Sequence, residues 1–315
     1  MSIFLTIVLV IALLLALGAL WTRKLARDAE RTVPQRGTIL PVTGGDMHFV
    51  DKGQGDKGTL VLIHGLAGQL QHFTYGMVDL LKDDCRVIAL DRPGCGYSTV
   101  TAGDGASLGD QARMIDALLD RLGVEQAVVV GHSLGGAVAL RLALDYPQRV
   151  AGLALLSPLA QVQPNVPGVF KGRQVSTSWL RRFLAVTIAV PLARLTTDKV
   201  LSQVFHPEHC PPDFLDRAGA VLGLRPKAIV TTTSDMAVVD LDMPAQVARY
   251  PGELSVPGAI LYGTDDALLS PDLHGKGMEP FGLALETLPG RGHMIPITAP
   301  VDCADFVRRV AATAL

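Results

Sequence analysis

The β-branched run Val128-Val129-Val130 ends in Gly131-His132-Ser133-Leu134-Gly135-Gly136, and Ala137 to Leu144 then reads as a helix. A buried strand entering a helix through one sharp turn leaves few folds open. It needs a neighbouring sheet on both sides and a helix packed back onto it. In this context the G-x-S-x-G pattern is read as a nucleophile elbow. The turn strains the backbone at the serine, and side chains two residues to either side would clash across it. Ser133 is then expected to project above the sheet, facing the positive end of the following helix.

The rest of the chain supplies the sheet. Short strands are expected at Ile39 to Val42 and Met47 to Val50, around the Gly44-Gly45 turn. Thr59 to Ile63, Arg86 to Leu90 and Val150 to Leu156 are continuous apolar runs, as for strands covered on both faces. Helices are expected over 72–82 and over Leu108 to Leu122, where apolar residues recur every three or four positions, with Gly123 as a helix stop. The β-α-β rhythm implies a doubly wound, mostly parallel sheet, whose ligands bind beyond the carboxyl ends of its strands. His64-Gly65-Leu66-Ala67-Gly68, Asp91-Arg92-Pro93-Gly94-Cys95-Gly96-Tyr97-Ser98 and the Ser133 turn all lie at such ends.

From Pro158 to about Tyr250 the rhythm breaks. Pro158, Pro164, Pro167 and Gly168 open an irregular stretch. Trp179 to Leu195, Asp213 to Leu224 and Ala228 to Val239 read as helices, and Arg181, Arg182 and Arg194 interleave the first. This is an insertion that caps the strand ends. Its apolar helices either pack on the core or line an apolar pocket. Strands resume at Val256 to Tyr262, followed by Gly263-Thr264-Asp265-Asp266, and at Ala284 to Leu288, followed by Gly290-Arg291-Gly292-His293. Residues 298–313 form a closing helix.

Ile3 to Trp21 carries no charge, and nineteen residues at about 1.5 Å rise nearly span a hydrocarbon core of about 30 Å. Trp21 stands where an interfacial anchor belongs, and Arg23, Lys24, Arg27 and Arg31 follow. An uncleaved anchor fits better than a cleaved signal peptide, which has a basic start and a shorter apolar core; Ala16-Leu17-Gly18 is the alternative cleavage site. The basic flank places the C-terminal side in the cytoplasm. The expected organisation is an anchor over 1–22, a polar tether over 23–37, a core over 38–157 and 251–315, and a cap over 158–250.

A net charge of -2, without a basic stripe, gives no reason to expect nucleic acid as a partner. Cys85, Cys95, Cys210 and Cys303 form no C-x-x-C pair and read as reduced thiols. His206-Pro207-Glu208-His209-Cys210 lacks a third well-spaced ligand, so no metal is expected there. The chain does not reveal its oligomeric state.

A serine hydroxyl needs a base, and the base needs an orienting acid. Of the eight histidines, His293 is the best base, in a glycine-rich loop after the last strand. His64 is expected to hold its own loop by hydrogen bonds, and His132 to point away from Ser133. His48, His72 and His274 have no supporting context and read as solvated or satisfied in place. For the acid, Asp266 is preferred to Asp265, although both could instead cap the next helix. The oxyanion donors are expected to be the backbone N–H groups of Leu66 and Leu134.

These motifs, in this order, resemble the α/β-hydrolase superfamily from about residue 38 to 314. His64-Gly65 resembles its HG loop, Asp91 to Ser98 its D-R-P-G-x-G-x-S loop, and Gly131 to Gly135 its elbow. Gly263-x-x-Asp266 resembles its acid loop, and Gly292-His293 its terminal G-H. The resemblance implies the α/β-hydrolase fold, a mostly parallel doubly wound sheet with a helical cap, preceded here by one transmembrane helix. The spacing of the acid from Gly263 supports Asp266. Family members with the same Asp91-type loop that act on epoxides or haloalkanes use an aspartate nucleophile; Ser133 argues against both activities. The implied chemistry is ester hydrolysis through an acyl-enzyme, with no metal or organic cofactor. The anchor and apolar cap point to a lipid-like ester such as a monoacylglycerol or lysophospholipid. Alternatives are carbon–carbon cleavage of a diketone or perhydrolysis by the same residues, or a non-catalytic membrane-tethered accessory protein.

Overall fold

The computed structural model describes residues 2–101, 106–164 and 177–314. Eight strands make one sheet: β1 (Thr38–Val42), β2 (Gly45–Lys52), β3 (Thr59–Ile63), β4 (Arg86–Leu90), β5 (Ala127–His132), β6 (Val150–Leu156), β7 (Gly258–Gly263) and β8 (Leu283–Leu288). Their order is β1-β2-β4-β3-β5-β6-β7-β8. β2 runs antiparallel to both its neighbours, and β3 to β8 pair in parallel. The helices are α1 (Ile3–Thr32), α2 (Gln71–Thr74), α3 (Met77–Leu81), α4 (Leu108–Arg121), α5 (Leu134–Asp145), α6 (Ser178–Leu184), α7 (Val190–Val204), α8 (Phe214–Arg217), α9 (Pro226–Glu253), α10 (Pro271–His274), α11 (Ile295–Thr298) and α12 (Pro300–Ala314). This is the α/β-hydrolase fold, with α6 to α9 as cap helices.

The continuous apolar runs have a two-sided explanation. Successive strand residues point to opposite faces. Val61, Ile63, Ile88, Leu90 and Val129 pack under α4 and α5. Leu60, Leu62, Val87, Ala89, Val128 and Val130 pack under α3 and α12. Both faces are therefore dry, and truncating any such leucine to alanine is expected to cost about 2–5 kcal/mol.

Several elements differ from the sequence expectations. The helix expected over 72–82 is two short helices, α2 and α3, broken at Gly76, whose φ of -156° is not helical. Residues 23–32, read as part of a polar tether, continue α1 without a break. Burial in and beside this stretch explains it: Thr22, Ala29 and Val33 recur on one side of the chain, and Ala29 and Val33 pack against Leu222. The first cap helix continues beyond Leu195 to Val204, through a wider π turn at Ala185–Ala189. The helix expected to end at Val239 runs on to Glu253 despite Pro244 and Pro251. Proline disfavours a helix interior, but α9 is held from outside. Met243 and Tyr250 are buried in the core, and the Gln246 amide donates to Ala137 O at 2.9 Å. Asp213 to Leu224, expected as one helix, is α8 and a 3₁₀ turn separated by Gly219 at φ 71°. Pro167 and Gly168, which open the irregular stretch in the sequence, lie outside the described residues.

Four more ties fasten α9 to the core. Thr231 Oγ1 donates to Gly94 O at 3.0 Å, and Asp242 accepts from the Leu108 N–H at 2.8 Å. Arg249 meets Asp145 at 2.7 Å, and Asp235 meets Arg92 at 2.8 Å. In α7, by contrast, the hydroxyls of Thr196, Thr197 and Ser202 bond to carbonyls of their own helix.

Candidate active site

Ser133 sits between β5 and α5 with φ 55° and ψ -123°. A non-glycine residue at such a φ costs of order 1–3 kcal/mol and persists only when its surroundings fix it. Here they do: the Ser133 N–H donates to Leu156 O at 3.1 Å, and Ser133 O accepts from Leu159 N–H at 2.9 Å. The flanking glycines are steric necessities. A Cβ on Gly131 would meet Gly135 O at 2.6 Å, and one on Gly135 would meet Ile63 O at 2.1 Å.

His293 follows β8 and is buried. Its Nδ1 lies 2.7 Å from Asp266 Oδ2. The other oxygen, Oδ1, accepts from the Leu268 and Leu269 N–H groups at 2.9 and 3.0 Å. Three hydrogen bonds thus fix the carboxylate. With Nδ1–H donating to Asp266, a neutral His293 keeps Nε2 as its free acceptor. Asp265 points elsewhere: it is exposed and accepts from the Thr264 hydroxyl at 3.0 Å. Ser133 and His293 line the same cavity, and no hydrogen bond joins their side chains. Apo sites are often loose at this contact.

The loop carrying Leu66 is held from beneath by His64 and Arg92. His64 Nδ1–H donates to Gly65 O at 2.9 Å, and Nε2 accepts from the Arg92 N–H at 3.0 Å. Burial pushes the His64 pKa down to about 3, so the ring stays neutral and can accept. The buried Arg92 guanidinium donates to His64 O at 2.9 Å, Gly65 O at 3.1 Å and Gln111 Oε1 at 2.9 Å. Its remaining charge is met by the buried carboxylate of Asp235 in α9. Below the cavity, Leu66 and Leu134 present backbone N–H groups with no backbone partner.

A cavity of about 430 Å³ covers these groups. Its floor is Leu66, Ser133, Leu134 and His293, and its roof comes from α7, α8 and α9 with Val200, Leu201, Phe214 and Met236 among the apolar lining. His132 does not compete for the serine: its Nε2–H donates to His293 O at 3.1 Å, and burial holds its pKa well below the usual range. His48 and His274 are satisfied in place, through Asp91 at 2.7 Å and Gln163 at 2.7 Å. His72 is the exception. It is neither solvated nor satisfied: it is buried, lines the cavity, and neither ring nitrogen has a hydrogen-bond partner among the described residues. Burial lowers its pKa to about 4. Its position on the first turn after the His64–Gly68 loop was the available sequence signal.

Among the described residues, no three His, Cys, Asp or Glu side chains are grouped as metal ligands. Within the segment 206–210, Glu208 instead braces the His293 loop, accepting from Arg291 at 2.8 Å and from the Gly292 N–H at 2.9 Å. The four cysteines are free thiols.

A strained serine at a strand–helix turn, a histidine–aspartate pair on later strand-end loops and a helical roof define an α/β hydrolase. Residues 58–300 match the family described as alpha/beta hydrolase fold, and the chain belongs to it. It is 29% identical over 279 residues to the dihydrolipoyllysine-residue acetyltransferase component of the acetoin cleaving system of Pseudomonas putida, covering 87% of this chain and 68% of that protein. To the protein of the same name from Cupriavidus necator it is 42% identical over 118 residues, 38% of this chain, and there the match spans only 31% of the relative's length. Among solved structures, a thermophilic esterase from Thermogutta terrifontis aligns with a TM-score of 0.66 at 24% identity, covering 88% of this chain and 99% of that one.

Proposed function

We propose that the protein is a serine hydrolase that cleaves carboxylic esters through an acyl-enzyme. The carrying observation is that Ser133, His293, Leu66 and Leu134 line one cavity while Asp266 accepts from the Nδ1–H of His293. In this reading Ser133 Oγ attacks the ester carbonyl and His293 Nε2 takes its proton. The two N–H groups hold the oxyanion, where preorganised donors act most strongly. His293 then returns the proton to the leaving alcohol, and water repeats the sequence on the acyl-enzyme. Asp266 stabilises the imidazolium without itself becoming protonated. No metal or organic cofactor enters.

The apolar roof supports an acyl chain, and the neutral His72 imidazole offers one donor and one acceptor to the polar part of the ester. Together with α1 this favours a single-chain lipid ester such as a monoacylglycerol or lysophospholipid. α1 contains a window of mean hydropathy 3.1, none of it buried, long and apolar enough to cross a membrane by length and composition. We read it as an uncleaved anchor, with Arg23, Lys24 and Arg27 on the cytoplasmic side together with the hydrolase.

The test combines labelling with kinetics. Wild type should react with a fluorophosphonate and Ser133→Ala should not. Activity should rise with chain length across p-nitrophenyl esters and be absent on a ring-cleavage diketone. Labelling that is unchanged in Ser133→Ala, or turnover of the diketone alone, would overturn the proposal.

A further inference from the structure

The C-terminal half of α1 does not stand free of the hydrolase. Leu15, Gly18 and Ala19 are half-buried, and Thr22, Ala29 and Val33 are buried. A Cβ added to Gly18 would lie 2.0 Å from the Thr187 carbonyl oxygen, so α1 and the π turn meet backbone to backbone. Only Ile3 to Leu14 project beyond this contact. At about 1.5 Å per residue that is roughly 18 Å of helix, against a hydrocarbon thickness of about 30 Å. If the uncharged stretch Ile3–Trp21 spans a bilayer, its last turns, Leu15 to Trp21, must lie inside it. The cap segment packed against those turns is then carried to the same depth.

The surface of that segment suits such a position. Trp179, Phe183, Val186, Ile188, Leu192 and Leu195 are exposed. They follow one another at mostly three- and four-residue spacing, and the π turn lets the stripe continue from α6 into α7. Their exposure runs from 41% at Val186 to 72% at Leu195, in residues that ordinarily seek burial. Arg194, although exposed, belongs to the cavity side of the helix, in line with Thr197 and Leu201. On that side Ala193, Thr197, Val200 and Leu201 line the cavity. One helix therefore separates the cavity from this apolar face.

We infer that the apolar face of α6, the π turn and α7 is immersed in the lipid interface beside α1, so that the hydrolase takes its ester directly from the bilayer. This rests on the reading of α1 as a membrane anchor and of the substrate as a lipid ester. A second copy of the chain could also cover such a face, and the experiment separates the two.

The chain has two tryptophans, Trp21 and Trp179, and replacing both by phenylalanine allows single-tryptophan reporters. Full-length protein at one copy per phosphatidylcholine nanodisc would carry Phe183→Trp, Leu9→Trp or Glu125→Trp. With brominated acyl chains, the reporters at 183 and 9 should lose most of their emission and the one at 125 should not. Quenching at 9 but not at 183 overturns the inference while leaving the anchor intact, and an interface between copies would give that result. Quenching at neither position overturns both. As a second arm, Val186→Glu with Ile188→Glu should lower hydrolysis of a long-chain monoester in vesicles by at least about tenfold, the scale of withdrawing two apolar side chains from lipid. Hydrolysis of a soluble short-chain ester should be unchanged. An equal loss on both substrates would overturn the lipid role of this face. Quenching at 183 without any ester hydrolysis would sink the esterase reading and spare the membrane contact.

Discussion

The floor and the roof of the cavity are held in different ways. On the floor, each group is fixed by directional contacts: the Ser133 backbone by Leu156 and Leu159, the Asp266 carboxylate by three donors, and the Leu66 loop by His64 and Arg92. In the roof, α9 and α8 carry directional ties of their own, and the α7 side adds apolar contact, such as the edge-to-face rings of Phe205 and Phe214 at 4.9 Å. A floor that must place atoms to a fraction of an ångström uses hydrogen bonds and strain. The α7 side of the roof relies more on contacts without direction. The two meet at the buried Arg92–Asp235 pair, which joins the Leu66 loop to α9.

Mutation can break this contrast at several points. The largest effect is expected at the floor: Ser133→Ala should lower kcat about 10⁵-fold or more, and Asp266→Asn about 10⁴-fold, measured on a soluble p-nitrophenyl ester. Asp265→Asn should stay within a few-fold of wild type; a loss equal to that of Asp266→Asn would undo the assignment of the acid. Next comes the junction. Asp235→Ala leaves the Arg92 charge buried and unpaired, and should cost about 3–5 kcal/mol in urea unfolding. A cost below about 1 kcal/mol would mean that α9 is not clamped through this pair.

The acid sensitivity of the fold is the third point. His64 and His72 have folded pKa values of about 3 and 4, below the ordinary value of 6.5, because burial favours the neutral ring. The unfolded chain therefore binds more protons below pH 6.5. Stability from these groups is complete above that pH and is lost as pH falls toward 3, by up to about 1.4 kcal/mol per pH unit for each group. His72→Phe should flatten the slope of stability against pH between 6 and 4.5 by about one proton. It should also raise KM for esters with a polar alcohol portion more than for p-nitrophenyl esters. Last, Leu192→Ser on the exposed roof should change stability by no more than about 0.5 kcal/mol. A larger loss would show that this residue is covered in the purified chain.

The same contrast decides how much could be read from the sequence. The strands were legible because burial on both faces leaves uninterrupted runs such as Thr59–Ile63 and Arg86–Leu90, whose bounds the structure reproduces. The strand-end loops were legible because turns and close approaches restrict them to glycine, as at Gly131 and Gly135. The preference for Asp266 over Asp265 was supported by the resemblance of Gly263-x-x-Asp266 to the family's acid loop, and it is Asp266 that meets His293. The cap was less legible. Pro244 and Pro251 suggest a helix end, and only packing against the core reveals that α9 continues past them. The π turn has no local signature, and neither does the docking of residues 22–33 of α1 on the protein. His72 looked idle because a histidine's environment, rather than its neighbours in sequence, decides its role.

The fastening of α9 has a mechanical consequence. With five tethers from Thr231 to Arg249, this helix behaves as a door jamb, whereas α7 hangs between α1 on one side and the cavity on the other. A widening of the cavity is therefore expected on the α7 side rather than at α9. A cavity that widens on the α7 side would leave the Leu66 loop in place, so compliance and precision would occupy opposite edges of the same roof.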